Sequence, residues 1–156
     1  MIAVSLTTEE ASKCYQQALD IDNECLQNNR DKPRVLQSIE AHFIGSLGEF
    51  ALAKYLQVDF DFGCDYKRQP HDVTMYEVRT TKYANGKLIT YNHDKSAPYV
   101  LATLDMDNGY TITLRGWALL DECNIDEHWN TSAKLPSYWT PQHKLHNMTD
   151  LPMAAV

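Results

Sequence analysis

Apolar residues recur at spacings of three and four in two stretches near the start of the chain, as on one face of an amphipathic helix. In the first stretch, Thr7 or Thr8 can cap a helix whose first turn holds Glu9 and Glu10, and we expect this helix to run to about Asn28. Its apolar stripe comprises Ala11, Cys14, Tyr15, Ala18, Leu19, Cys25 and Leu26. A polar run ending in Pro33 interrupts the pattern, which resumes in a second predicted helix over residues 35–56.

Beyond residue 56 the pattern becomes typical of strands. Alternating or apolar runs predict strands at 59–62, 73–81, 87–91, 99–104 and 110–114, the fourth of them buried and the fifth its partner. Residues 117–122 suggest a short helix. From residue 130 the chain is polar and aromatic and contains several prolines, so we expect an irregular tail laid over the body.

Two helices followed by a run of strands predict an α/β protein whose elements follow an α+β order. A chain of 156 residues is long enough for one domain with a real core and short for two. We therefore expect a single domain over residues 1–156. It would consist of an N-terminal helix at 1–29, a core at 34–128 and the irregular tail at 129–156.

Composition favours an intracellular globular protein. No apolar run reaches the roughly 20 residues of a membrane span, and the N-terminus lacks a basic stretch followed by an apolar run. We therefore expect no membrane partner and no signal peptide. Cys14, Cys25, Cys64 and Cys123 are scattered, without the paired spacing of a zinc site or a disulfide framework, which fits a reducing cytoplasm.

The charge is segregated along the chain. The net charge of −7 argues against bulk binding of nucleic acid, yet residues 67–95 carry six bases against three acids. Residues 1–29 carry five acids and one base, and residues 101–156 carry seven acids and three bases. A basic surface around a few acids suits a site that meets a phosphate and holds a metal, although a solvated hairpin of mixed charge explains the same composition.

The second predicted helix carries two glycines and a glutamate on one face. Gly45, Gly48 and Glu49 share this face with His42, Leu52 and Ala53. Two interior glycines cost a helix about 1 kcal/mol each relative to alanine, so we expect them to let the helix lie close against a sheet. Glu49 would then point at the sheet, unless the glycines serve packing alone and Glu49 turns to solvent.

A second acidic feature lies on the strand predicted at 73–81. Glu77 and Arg79 share one face of this strand, and Asp72 lies just upstream, where a turn can bring it beside Glu77. Two neighbouring carboxylates repel unless a cation lies between them, and oxygen ligands select Mg²⁺ or Mn²⁺. The alternative is a surface ladder of salt bridges, which is common.

Asn85-Gly86 is a strong short signal for a β-hairpin. A two-residue loop there would pair Arg79 with Asn92 and Glu77 with Asp94. Asn92 and Asp94 would then project from the face that carries Glu77 and Arg79, with Asp94 either a further acid at the metal or a salt-bridge partner of Arg79.

These residues resemble a known family. The sequence Gly-Ser-Leu-Gly-Glu-Phe-Ala-Leu-Ala-Lys-Tyr-Leu at 45–56, followed by Asp72 and by Glu77-Val78-Arg79, resembles the PD-(D/E)XK nuclease superfamily. It is most similar to the small members of that superfamily that bacteriophages encode. The resemblance continues through the Asn-Gly turn to Tyr138-Trp139-Thr140-Pro141-Gln142, and so covers roughly residues 45–151.

The resemblance implies a restriction-endonuclease-like core, in which helices flank a central mixed sheet, with an extra N-terminal helix in this chain. It implies that Asp72, Glu77 and the Val78 carbonyl bind Mg²⁺ or Mn²⁺ and that Glu49 is the acid supplied by the helix. The implied function is metal-dependent hydrolysis of DNA phosphodiester bonds, by an enzyme of phage or prophage origin that works inside the host cell.

Arg79 departs from the family pattern, which has lysine at this position. Arginine keeps its proton and cannot act as a base, but its fork can hold the scissile phosphate. Lys82 is a candidate substitute base, although strand parity points it to the other face.

Three other possibilities remain open. One is a catalytically inactive nuclease-fold module that binds DNA or a host protein, which Arg79 and the acidic ends of the chain favour. The N-terminal helix lies outside the resemblance and could form a homo-oligomer. Finally, Trp117, Trp129, Tyr138 and Trp139 could stack on bases, although such aromatics more often anchor a core or a tail.

Overall fold

The computed structural model describes residues 1–27, 35–62, 71–107 and 109–152. Its helices and strands, in chain order, are β1 (Ile2–Leu6), α1 (Thr8–Gln27), α2 (Val35–Leu56), β2 (Glu77–Thr81), β3 (Leu88–Thr90), β4 (Pro98–Asp105), β5 (Tyr110–Leu119), α3 (Leu120–Cys123), β6 (Trp129–Asn130) and β7 (Ser137–Thr140). Short 3-10 helices follow at Asp126–His128, Gln142–Lys144 and Met148–Asp150.

Both long helices lie where the apolar pattern predicts them. The hydroxyl of Thr7 accepts the amide N–H of Glu10 at 3.1 Å, and the Glu10 carboxylate accepts the amide N–H of Thr7 at 2.8 Å. This reciprocal cap fixes the start of α1, because it satisfies amides that have no partner within the helix. α1 buries Ala11 and Cys14 in the core that it shares with α2. Ala11 and Cys14 of the predicted apolar stripe therefore serve this core, and the structure gives no support to the predicted homo-oligomer through α1.

The main sheet is mixed. Its strand order is β1-β5-β4-β2, with β2 parallel to β4 and the other pairs antiparallel. A second, antiparallel sheet consists of β3, β7 and β6 in that order. The predicted α/β class and the mixed sheet are confirmed, and the described part of the chain contains three α-helices.

β4 lies at the centre of the core, with buried residues on both of its faces. Val100 and Ala102 join the cluster formed with α1 and α2, whereas Tyr99 and Leu101 join a second cluster with Leu88 of β3. Burial on both faces explains why this segment is apolar without alternation. The strands predicted at 99–104 and 110–114 are confirmed as β4 and β5, and β5 continues to Leu119.

The hairpin predicted at Asn85-Gly86 is wrong. The amide N–H of Gly86 donates to the carbonyl of Tyr83 at 2.9 Å, so a turn spans residues 83–86, but the strands beside it do not pair with each other. β2 pairs with β4, and β3 pairs with β7. The Asn-Gly signal marks a turn, whereas the choice of strand partner depends on the distant apolar segments that each strand can cover.

Both ends of the chain contain more regular structure than predicted. β1 was not predicted, and it pairs with β5. β6 and β7 lie in the segment expected to be irregular, where Trp117 and His146 exchange backbone hydrogen bonds of 3.1 and 2.8 Å that fasten the tail to β5. The short helix predicted at 117–122 begins only at Leu120, because residues 117–119 extend β5. The strand predicted at 59–62 does not form.

No helix in the described part of the chain is both long and apolar enough to cross a membrane. Cys14 and Cys123 are buried free thiols. Cys64 lies outside the described residues, as do Lys67 and Arg68 of the predicted basic segment.

Candidate functional site

Gly48 brings α2 close to β2. A Cβ atom at Gly48 would collide with the side chain of Thr80, whereas a Cβ at Gly45 would meet nothing within 4 Å. The predicted close approach therefore depends on one of the two glycines. Since Glu49 follows Gly48 directly, this contact sets how near Glu49 comes to the acids beside β2.

A tight turn places Asp72 against the start of β2. The amide N–H of Val73 donates to the carbonyl of Tyr76 at 3.1 Å, and the amide N–H of Tyr76 donates to the carbonyl of Val73 at 2.8 Å. Thr74, within this turn, has a positive φ of 49°. That backbone conformation is unfavourable for a β-branched residue, so the surroundings must hold it. The turn lets the Asp72 Oδ2 atom accept the amide N–H of Val78 at 2.9 Å.

Glu49, Asp72 and Glu77, here called the acidic cluster, influence one another electrostatically. Burial, together with the charges of Asp72 and Glu77, raises the pKa of Glu49 to about 8. Burial also raises the pKa of Asp72 to about 6, against the lowering effect of the Val78 amide. The cluster is thus a place where negative charge is costly and where a cation would be stabilised.

His71 is a member of the site that the sequence did not single out. Its Nδ1 atom lies 2.9 Å from the Oε1 atom of Glu77, whose side chain is almost fully buried. A histidine next to an aspartate is a weak sequence signal, because only the turn at 73–76 reveals that it reaches Glu77. In the structure, His71 fixes the orientation of the Glu77 carboxylate.

Arg79 is held by three contacts. Its guanidinium donates to the Asp94 carboxylate at 3.0 Å and to the Ile89 carbonyl at 3.3 Å, and it lies over the ring of Tyr99 at 5.2 Å from the centroid. Asp94 also accepts the amide N–H of Tyr91 at 2.8 Å. The sequence left open whether Asp94 is a further acid at the metal or a salt-bridge partner of Arg79, and in the structure it is the salt-bridge partner. The charge of Arg79 still lowers the pKa of Asp72, so Arg79 lies within electrostatic reach of the acidic cluster.

The other predicted accessory residues lie elsewhere. Lys82 contacts Glu40 on α2 at 3.4 Å, on the exposed surface, as strand parity predicted. Asn92 accepts a hydrogen bond from the Tyr138 hydroxyl at 3.1 Å and makes no described contact with Glu77. The predicted hairpin would have paired Asn92 with Arg79. This pairing does not form, because β2 pairs with β4 and β3 pairs with β7.

The chain matches no family model, no curated protein and no solved structure.

A cleft of about 450 Å³ opens beside the acidic cluster, and among the three acids Asp72 lines it. The lining residues are Asp59, Phe60, Asp61, His71, Asp72, Val73 and Thr74. The cleft gives a ligand of modest size access to Asp72 and to His71, which in turn contacts Glu77.

The donor chemistry of the site fits a hard divalent cation. Within the described residues, no three His, Cys, Asp or Glu side chains form a group that could hold a metal ion by themselves. Mg²⁺, however, is commonly held by one or two carboxylates with water completing its shell. Asp72, Glu77 and the Val78 carbonyl supply oxygen donors of this kind. The raised pKa values of Asp72 and Glu49 agree, since a cation would relieve the repulsion among the acids.

Proposed function

We propose that the protein is a divalent-metal-dependent hydrolase of DNA phosphodiester bonds. The observation that carries the proposal is the acidic cluster, in which two partly buried acids have raised pKa values because they lie out of bulk water and beside other carboxylates. Such clusters are costly to the fold and are typical of sites that bind a cation or transfer a proton. The resemblance of residues 45–56, Asp72 and Glu77-Val78-Arg79 to PD-(D/E)XK nucleases supports the same function and a restriction-endonuclease-like core.

In this proposal Asp72, Glu77 and the Val78 carbonyl hold Mg²⁺ or Mn²⁺, with Glu49 assisting. The bound cation would polarise the phosphate and lower the pKa of a water molecule. His71 keeps the Glu77 carboxylate in position through its 2.9 Å contact, and the Val78 amide does the same for Asp72 at 2.9 Å. Arg79 contributes positive charge toward the phosphate while it remains bound to Asp94.

DNA is the proposed substrate because the chain around Arg79 is locally basic. Residues 79–95 carry four bases and one acid, although the whole chain has a net charge of −7. Within this segment Asp94 is paired with Arg79, and Lys82 contacts Glu40 of α2, whereas Lys87 and Lys95 are exposed. This local surplus can attract a phosphate backbone at short range. An origin in a phage or prophage and a place inside the host cell remain predictions from the resemblance.

The closed Arg79–Asp94 bridge favours a second candidate function. A guanidinium already bound to a carboxylate and a carbonyl has fewer N–H groups to offer a phosphate. A nuclease-fold module that has lost catalysis and binds DNA or a host protein would retain such a bridge as a structural contact.

A metal titration combined with a cleavage assay separates the two candidates. For the hydrolase, we expect millimolar Mg²⁺ or Mn²⁺ to raise the melting temperature, because a ligand that binds the folded state stabilises it. We also expect cleavage of plasmid or single-stranded DNA that EDTA abolishes. An unchanged melting temperature with both metals, together with intact DNA, would contradict the hydrolase and favour the binding module. Ca²⁺ serves as a control for a cation that binds without supporting cleavage.

A further inference from the structure

Four aromatic rings form a connected group on the surface beside Arg79. Trp129 and Tyr138 are cross-strand partners on β6 and β7, with ring centroids 4.8 Å apart. Tyr91 and His93 stack at 5.5 Å with an angle of 18° between their planes. Asn92, which lies between Tyr91 and His93 in sequence, accepts a hydrogen bond from the Tyr138 hydroxyl and so connects the two ring pairs. We call Tyr91, His93, Trp129 and Tyr138 the aromatic platform.

The platform is open to solvent in a way that core anchors are not. Trp129 is 40% exposed, whereas Trp117 is 8% exposed and donates its indole N–H to the Asn147 carbonyl. His93 is exposed, and Tyr91 and Tyr138 are partly buried. Because leaving so large an apolar side chain in water forfeits its burial free energy, a purely structural tryptophan would be expected to turn inward.

The platform adjoins the candidate site through a short turn. The amide N–H of Tyr91 donates to Asp94, which binds the guanidinium of Arg79, a residue within electrostatic reach of Asp72. The platform residues Tyr91 and His93 also lie in the basic segment 79–95. Flat rings complement the base of an unpaired nucleotide, and because Asp94 already balances Arg79, the phosphate of that nucleotide would meet the exposed Lys87 of the same segment.

We propose that the aromatic platform binds unpaired bases of single-stranded DNA. The bases stack on Trp129 and on the Tyr91–His93 pair, while the backbone follows the basic segment toward Asp72. In a duplex the faces of the bases are covered by their neighbours, so the platform selects single strands. The role of this binding in cleavage rests on the proposed function, but the binding itself does not need a metal.

The test is fluorescence anisotropy of a dye-labelled oligothymidylate with the full chain in EDTA. We expect the single strand to bind at least about tenfold more tightly than a duplex of the same length, since stacking is available only to the single strand. Trp129→Leu and, separately, His93→Ala should each weaken single-strand binding about tenfold. Trp129→Phe, which keeps a flat ring, should bind within about twofold of wild type.

Tyr15→Ala is the matched control, because Tyr15 is another exposed aromatic, 46% exposed, on α1, where it packs against Phe43. It should leave binding unchanged. Wild-type affinity in both Trp129→Leu and His93→Ala would overturn the proposal, as would equal binding of duplex and single strand. Failure of the folded wild-type protein to bind either oligonucleotide would also overturn the proposal and would favour a protein as the partner of the aromatic platform.

This binding experiment, combined with the cleavage assay in Mg²⁺ or Mn²⁺, distinguishes the inference from the proposed function. Single-strand binding that depends on Trp129 in EDTA, with no cleavage in Mg²⁺ or Mn²⁺, upholds the platform and overturns the hydrolase. Metal-dependent cleavage with wild-type binding by Trp129→Leu and His93→Ala overturns the platform and leaves the hydrolase in place.

Discussion

Glu77 and Arg79 lie two residues apart on β2, and their surroundings are opposite in kind. Glu77 belongs to the acidic cluster, where Glu49 and Asp72 have raised pKa values. Arg79 is bound to Asp94, to the Ile89 carbonyl and to the face of Tyr99. At one end of the strand lie carboxyl groups whose ionisation is costly, whereas at the other end the positive charge of Arg79 is matched.

This difference shows that Arg79 is not the counter-ion of the acidic cluster. If the fold used Arg79 to neutralise the acids, its guanidinium would point to Asp72 or Glu77 and their pKa values would fall. It contacts Asp94 instead, and its lowering effect on the pKa of Asp72 is outweighed by burial. Without a cation the acidic cluster holds protons more tightly, as the raised pKa values of Glu49 and Asp72 indicate, and in the proposed function a divalent cation would take their place.

Of the substitutions considered, the removal of one acid from the acidic cluster should have the largest effect on activity. Asp72→Asn keeps an oxygen that can accept the Val78 amide, so the fold should persist, but an amide oxygen carries no full charge for the metal. We expect metal-dependent DNA cleavage to fall by at least about 100-fold and the metal-induced rise in melting temperature to disappear. Asp59→Asn, which removes an exposed acid from the same cleft, is the control and should change neither. Cleavage that survives Asp72→Asn would place the active site elsewhere.

The cost of the acidic cluster should be visible in metal-free protein as a pH dependence of stability. The pKa of Glu49 is raised from 4.5 to about 8, so the folded state binds this proton more tightly than the unfolded state. Stability is therefore fully present below pH 4.5 and is lost as the pH rises toward 8. Asp72, with a pKa of about 6, adds to the loss over the lower part of this range.

Glu49→Gln should remove the share of this loss that Glu49 causes, which extends from pH 4.5 to about 8. In EDTA, we expect the variant to be more stable than wild type at pH 8 by on the order of 2 kcal/mol, and similar to it near pH 4.5. Urea denaturation at several pH values measures this directly. Parallel stability curves for the two proteins would show that Glu49 is not held in a charge-excluding environment.

The position of α2 against β2 can be tested with a matched pair of glycines. Gly48→Ala would force a methyl group into Thr80 and should destabilise the protein by about 2 kcal/mol. Gly45→Ala meets open space and should stabilise it by about 1 kcal/mol, since alanine is the better helix residue. The first variant should also weaken metal binding, because it moves Glu49. Equal effects in chemical denaturation would mean that α2 has no close contact at Gly48.

The parts of the fold that follow from local rules were predictable. Thr7 with Glu10 marks the start of α1, and the apolar run at 99–104 marks the buried strand β4. Pairing between distant segments was not predictable in the same way, which is why the Asn85-Gly86 turn led to the wrong partner for β2. Pairing is decided by which apolar surfaces can be covered, a property of the whole chain.

The candidate site shows the same division. Glu49, Asp72 and Glu77 could be named from strand parity and helix spacing, and the structure links them electrostatically. His71 was missed because its contact with Glu77 depends on a turn that contains Thr74 in a positive-φ conformation. β-branched residues rarely adopt that conformation, so no local pattern in the sequence indicates the turn.

Arg79→Lys should have the smallest effect and tests the other half of the comparison. Lysine is a point charge and cannot hold Asp94 and the Ile89 carbonyl with one rigid fork, so we expect a loss of stability of about 1 kcal/mol. If Arg79 serves the phosphate through its charge, cleavage should be retained, or should rise because lysine is the residue at this position in the nucleases that the sequence resembles. Lys82→Arg, at the exposed contact with Glu40, is the control and should change neither quantity. Loss of cleavage in Arg79→Lys while metal still raises the melting temperature would show that the bridge to Asp94 positions the site. Cleavage absent from wild type and variant alike would identify the bridge as the structural contact of a binding module.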